Sequence, residues 1–233
     1  FKHLRSVCGE SVPLIMGTGS NSTAQTIEDS RKAEELGADA ILVVVPYYNK
    51  PPQRGLYEHF KAVASSVKIP TILYNVPGRT ITSLSTETTR DLSKVAGVIG
   101  IKDATGKIDI AKELIAACGK DFVMLSGDDG TYVEFLGVGG HGVISVATHV
   151  IPAQMVQWKK WVSEGAIEKA RADIAKYNDL INLLFVEANP IPVKKAVQLL
   201  GLIESAELRL PLVELAPEHT EALRAEMKKV GLL

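Results

Sequence analysis

The chain has 233 residues, 46% of them hydrophobic, and 26 Lys and Arg stand against 27 Asp and Glu. That length can bury one sizeable core, and with neither charge sign predominant there is no electrostatic footprint for nucleic acid or an anionic membrane surface. No apolar run is long enough to span a bilayer, the opening Phe1-Lys2-His3-Leu4-Arg5 lacks a secretory pattern, and the two cysteines, Cys8 and Cys118, form no CxxC pair, so a cytoplasmic protein is expected.

Short apolar runs alternate with longer helical stretches. The runs are Val12 to Met16, Ala40 to Val45, Thr71 to Tyr74, Val98 to Ile101, Phe122 to Leu125 and Gly142 to Val146. Most are continuously apolar, as strands covered on both faces of a parallel sheet must be. One helix is expected to open at Ser22-Thr23 and close at Leu36-Gly37, with glycine at the left-handed cap, and another to run from about Gln53 to Val67. Beyond Pro152 only helices are expected, broken at Gly165, Asn189-Pro190, Gly201 and Pro217. The pattern predicts an α/β fold, with residues 1–150 as an α/β body and 151–233 as C-terminal helices packed on the same domain. A closed (β/α)₈ barrel needs two strands more than these six. The count leaves two expectations open, a six-stranded doubly wound sheet or a barrel lacking its first strand–helix–strand.

In parallel α/β folds, chemistry gathers where loops leave the carboxyl ends of the strands. Lys102 follows Val98-Ile99-Gly100-Ile101, so apolar neighbours partly desolvate its amine and lower its pKa below the ordinary value of about 10.4, as a nucleophile requires. A structural ion pair with Asp103 or Asp129 would use the same residue. Tyr74, ending the preceding strand, offers a phenol for proton transfer, or else a barrel tyrosine bonded to the backbone. Arg79, five positions on, is suited to a two-pronged grip on a carboxylate, unless it is a solvated loop arginine. Together the three suit a carbonyl compound bearing a carboxylate. Gly17-Thr18-Gly19 lacks both the dinucleotide fingerprint and the P-loop ending. Asp128-Asp129 suggests hydrogen bonding at the mouth or at a helix N-terminus in preference to magnesium.

Two segments, Tyr74-Asn75-Val76-Pro77-Gly78-Arg79-Thr80 and Gly100-Ile101-Lys102-Asp103-Ala104-Thr105-Gly106, closely resemble the paired signature of the dihydrodipicolinate synthases. These belong to the N-acetylneuraminate lyase superfamily of class I aldolase-like TIM barrels. Pro46 to Pro51, Ser126 to Asp129, Gly142 to Ser145 and Asn189 to Lys194 match in family order, so the resemblance covers essentially the whole chain. It implies a (β/α)₈ barrel, here with about six strands and a C-terminal helical extension. It implies that Lys102 forms an imine with pyruvate, whose enamine attacks L-aspartate 4-semialdehyde to give 4-hydroxy-tetrahydrodipicolinate, on the route to diaminopimelate and lysine. Tyr74 would then donate and accept protons, and Tyr48 would complete a relay in a neighbouring subunit. Arg79 would meet the semialdehyde carboxylate, while Gly127 and the Ile144 backbone would line the pyruvate pocket. A homotetramer, built as a dimer of dimers and needing no metal or organic cofactor, is implied as well. Asn21 and Tyr47 match positions of a lysine-inhibitor site, although Gln25 stands where regulated members tend to carry glutamate. The family's first strand–helix–strand ends in a Gly-Thr-Thr-Gly-Glu motif that nothing here matches, so an N-terminally truncated synthase is expected. Within the superfamily the alternative is a sialic acid or keto-deoxy-sugar lyase; outside catalysis it is an impaired fragment with a structural role.

Overall fold

Runs of β-branched and other apolar residues set the strands, and capping residues set where the helices between them begin and end. The computed structural model describes residues 1–233. In chain order the elements start with α1 (Lys2–Cys8), β1 (Ile15–Gly17), α2 (Thr23–Glu35), β2 (Ala40–Val44), α3 (Gln53–Ala64) and β3 (Thr71–Asn75). Then come α4 (Pro77–Thr80), α5 (Thr86–Leu92), β4 (Val98–Asp103), α6 (Ile108–Cys118), β5 (Val123–Ser126), α7 (Tyr132–Gly137) and β6 (Gly142–Val143). The rest is helical: α8 (Pro152–Ser163), α9 (Ile167–Ile174), α10 (Asn178–Leu183), α11 (Ile191–Leu199) and α12 (Pro217–Lys229). The six strands form one parallel sheet in the order β1-β2-β3-β4-β5-β6. The α/β expectation is met, and sequential parallel neighbours are what right-handed crossovers through α2, α3 and α5 produce.

Local chemistry explains the boundaries. The Ser22 side chain accepts from the Gln25 N–H at the start of α2, and Gly37, with φ of 82°, turns the chain out after its last turn. In α3 the residues Leu56, His59, Phe60, Val63 and Ala64 recur at helical spacing and are all buried. Fully burying a side chain such as Phe60 contributes about 1.5–3 kcal/mol. His59 accompanies them because Thr23 Oγ1 lies 2.9 Å from its Nδ1, and burial lowers its pKa to about 4, which keeps the ring neutral. Several extents differ from the sequence reading, and β4 runs on past Ile101 to Asp103. β1 begins only at Ile15, α3 stops at Ala64, and β6 ends at Val143, after which the chain turns into a 3₁₀ segment, Ala147–His149. At β6 the backbone N–H groups of Val146 and Ala147 are taken by the Asp129 carboxylate, so they are not free for a strand ladder.

The chain forms two compact units, Phe1–Gly127 with Val138–Val143, and Asp128–Gly137 with Ile144–Leu233. The first holds the whole sheet, and its core includes Ile41, Val43, Phe60, Leu73, Ile101 and Met124. The second is helical, centred on Met155, Trp158, Leu180, Leu184, Leu223 and Met227, with the Trp158 indole N–H donating to Asp173 at 2.9 Å. No helix is long and apolar enough to cross a membrane.

Candidate active site

Parallel register decides which side chains share a face. Val44 pairs with Tyr74, Tyr74 with Lys102, and Lys102 with Leu125, so these four stand in one row across β2 to β5 near the strands' carboxyl ends. All four are half-buried. Lys102 therefore lies inside β4, one residue short of its end, rather than just after it. Its Nζ sits 4.2 Å from the centre of the Tyr74 ring, which holds the ammonium against the ring face. Burial raises the Tyr74 phenol above its ordinary value, and the Arg79 charge acts more weakly in the opposite sense. That coupling puts Arg79, an exposed residue of α4, within electrostatic reach of the phenol.

The next row, on the opposite face, is Asn75, Asp103, Ser126 and Val143. Asn75, Asp103 and Ser126 are almost fully buried. Asn75 Nδ2 donates to Asp103 Oδ1 at 3.0 Å, and Thr105 Oγ1 donates to Asp103 Oδ2 at 2.5 Å. Sequence reasoning assigned no role to Asn75 and weighed Asp103 only as an ion partner for Lys102. Strand alternation was the signal that could have found the row, because a residue adjoining Lys102 in a strand must face the other way.

Gly127 leaves β5 with its N–H donating to the Asp103 carbonyl at 2.7 Å. A Cβ placed there would lie 2.6 Å from Ala104 Cβ and 2.9 Å from Lys102 Cε. Glycine at this position is what lets the lysine stem lie where it does. Gly127→Ala must push aside both the Ala104 methyl and that stem, and a displacement of about 1 Å at the candidate nucleophile should cost on the order of 10²-fold in turnover. The expected result is a fall of that size in kcat with the fold retained by circular dichroism; unchanged kcat would show that the lysine can shift without consequence.

The remaining predicted residues lie elsewhere. Tyr47 and Tyr48 are in the loop after β2, where Tyr48 is 85% exposed and has a φ of 72°, a left-handed backbone that is uncommon for a bulky residue. Asn49 Nδ2 donates to the Asn21 carbonyl at 2.9 Å, tying this loop to the one after β1. Ile144 belongs to the second unit and directly follows β6. In the same unit Asp129 Oδ2 accepts from Val146 N at 3.0 Å and Ala147 N at 2.8 Å. Asp128 Oδ1 accepts from the Thr131 N–H and hydroxyl at 2.9 and 2.7 Å, just before α7. A cleft of about 870 Å³ is lined by residues of α3 and α5 with Lys94 and Val95, and contains none of these side chains. Its size does not make it the reactive centre, because the candidate residues Tyr74 and Lys102 stand together on the sheet, away from it.

Residues 1–230 match the dihydrodipicolinate synthetase family model. The chain belongs to the dihydrodipicolinate synthetase family. It is similar to a 4-hydroxy-tetrahydrodipicolinate synthase from Bdellovibrio bacteriovorus, 85% identical over 233 residues that cover 100% of this chain and 80% of the relative. It is also similar to the crystal structure of a dihydrodipicolinate synthase from Thermotoga maritima, with a TM-score of 0.97 and 41% identity, covering 100% of this chain and 80% of that one. The chloride-inhibited dihydrodipicolinate synthase from Acinetobacter baumannii, determined in complex with pyruvate, matches with a TM-score of 0.96 and 44% identity, covering 100% of this chain and 79% of that one. The dihydrodipicolinate synthetase family expected from the Tyr74-to-Thr80 and Gly100-to-Gly106 segments is thus the one found, and the row of Tyr74 and Lys102 is drawn from those two segments.

Proposed function

We propose that this chain is a lyase that joins pyruvate to L-aspartate 4-semialdehyde through a Schiff base on Lys102, forming 4-hydroxy-tetrahydrodipicolinate for diaminopimelate and lysine synthesis. The observation that carries the mechanism is the pairing of Lys102 Nζ with the Tyr74 ring at 4.2 Å on neighbouring strands. The neutral amine adds to the pyruvate carbonyl carbon, and water leaves the carbinolamine to form the imine. Tyr74 supplies and recovers the proton in these steps, directly or through one water. Removal of a methyl proton gives the enamine, whose carbon attacks the semialdehyde's aldehyde. The substrate's own amino group then adds to the imine carbon, closes the ring and releases Lys102.

Arg79 grips the semialdehyde carboxylate, and Gly127 lines the pyruvate pocket. Tyr48, exposed within one chain, completes the proton relay of a neighbouring copy, and the working assembly is a homotetramer in the cytoplasm. Asn21 and Tyr47 form part of a lysine-inhibitor site. Six parallel strands in sequential order support reading the sheet as that of a class I aldolase-type (β/α)₈ barrel, with the helices after Pro152 as its C-terminal extension.

The test is product analysis. Incubation with pyruvate and aspartate semialdehyde should give the cyclic product, while sialic acid and keto-deoxy-sugar acids should release no pyruvate. Cleavage of a sugar acid with no condensation would overturn the proposal.

A further inference from the structure

Behind Tyr74 and Lys102 the buried side chains of Asn75 and Asp103 start a polar network that reaches the surface at Ser83 and Gln53 and has no part in the proposed chemistry. Three donors converge on the Asp103 carboxylate: Asn75 Nδ2 at 3.0 Å on one oxygen, and Thr105 Oγ1 at 2.5 Å with Thr105 N at 3.4 Å on the other. With its amide donating to Asp103, Asn75 turns its own oxygen to the chain nine residues later. Asn75 Oδ1 accepts from the Leu84 N–H at 3.1 Å and from the Ser83 hydroxyl at 3.4 Å. Gln53 of α3 completes the anchorage, donating to the Ser83 carbonyl at 2.7 Å and accepting from the Ser85 N–H at 3.0 Å. Between the two tied points runs the segment with α4, in which Arg79 and Ile81 are exposed while Val76, Thr80 and Thr82 are buried.

We propose that Asp103, acting through Asn75, is a positioning residue that clamps the base of the Arg79 loop and so sets the grip on the second substrate. The effect on substrate depends on Arg79 being the semialdehyde's carboxylate partner, as proposed for the active site. The physical basis is acceptor capacity. A carboxylate offers two oxygens to three donors, whereas an asparagine in its place offers one and turns an NH₂ toward a donor. The asparagine therefore keeps the shape and weakens the clamp, since it can no longer accept from Asn75 and Thr105 at once. A buried hydrogen bond left unmade is felt locally, because the groups around it have no water to turn to.

The experiment compares Asp103→Asn, Arg79→Ala and the double variant in the full chain. Asp103→Asn should raise the KM for aspartate semialdehyde roughly tenfold and leave borohydride trapping of pyruvate on Lys102 within about twofold. It should also speed amide exchange across residues 76–84 and not in the rest of the sheet. Added to Arg79→Ala, it should bring no further rise in semialdehyde KM, since both changes act through one contact. Thr105→Val, which removes a single donor and keeps the charge, should show the same pattern at a few-fold, and serves if Asp103→Asn does not fold. Unchanged exchange in 76–84, or effects on semialdehyde KM that add to those of Arg79→Ala, would overturn the clamp. So would equal losses in imine trapping and semialdehyde KM, which mark general destabilisation. If the unsubstituted chain formed no imine on Lys102, the functional reading would fall, and the exchange comparison would still decide the clamp.

Discussion

Lys102→Ala is expected to end turnover, with a loss on the order of 10⁴-fold or more, because the variant has no amine to hold pyruvate as an imine. The side chain is half-buried in the row with Tyr74 and Leu125, and its truncation removes few core contacts, so the melting temperature should move by only a few degrees. Lys102→Arg keeps a positive charge beside the Tyr74 ring but supplies a guanidinium that does not deprotonate, and should be equally inactive. Borohydride reduction in the presence of pyruvate should add mass to the peptide containing Lys102 in the unsubstituted chain and to no peptide in either variant. Mass added to another lysine, or retained in Lys102→Ala, would show that the imine forms elsewhere.

Tyr74→Phe should slow imine formation and condensation by roughly 10²–10⁴-fold, the usual worth of a positioned acid–base group. The substitution is sharp because phenylalanine keeps the ring under Lys102 Nζ, now at 4.2 Å from its centre, and deletes the hydroxyl alone. Burial, the larger influence on the phenol, raises its pKa and outweighs the opposing Arg79 charge. The protonated form therefore persists through neutral pH, and the loss of rate on deprotonation should fall above the ordinary tyrosine value of about 10. Single-turnover trapping of pyruvate against pH would locate this limb, which should disappear in Tyr74→Phe. A variant trapping pyruvate at the normal rate would remove Tyr74 from proton transfer and leave it as packing for the lysine.

Much of the fold was legible because it depends on local pattern. Continuous apolar runs such as Ala40 to Val44 announce strands covered on both faces, and Ser22 and Gly37 mark the two ends of α2 by capping chemistry. At β6 the difference arose where a distant group competes for the backbone. Gly142 to Val146 reads as one strand, yet the Asp129 carboxylate draws the N–H groups of Val146 and Ala147 out of the ladder after Val143. Nothing in the run itself carries that information.

The candidate site divides along the same line. Sequence alone determined that a tyrosine, an arginine and a lysine with the dihydrodipicolinate synthase spacing fall near the ends of two successive strands and on the loop between them, since residue type and spacing are written in the chain. Only the tertiary structure decided which of them share a face. The β3–β4 register shifts between Thr71 and Ile72, and that irregularity sets Tyr74 opposite Lys102 and Asn75 opposite Asp103. Without that shift Tyr74 would stand opposite Ile101, and the phenol would no longer meet the amine. Register is fixed by the packing of both faces at once, and no local stretch of sequence contains both faces.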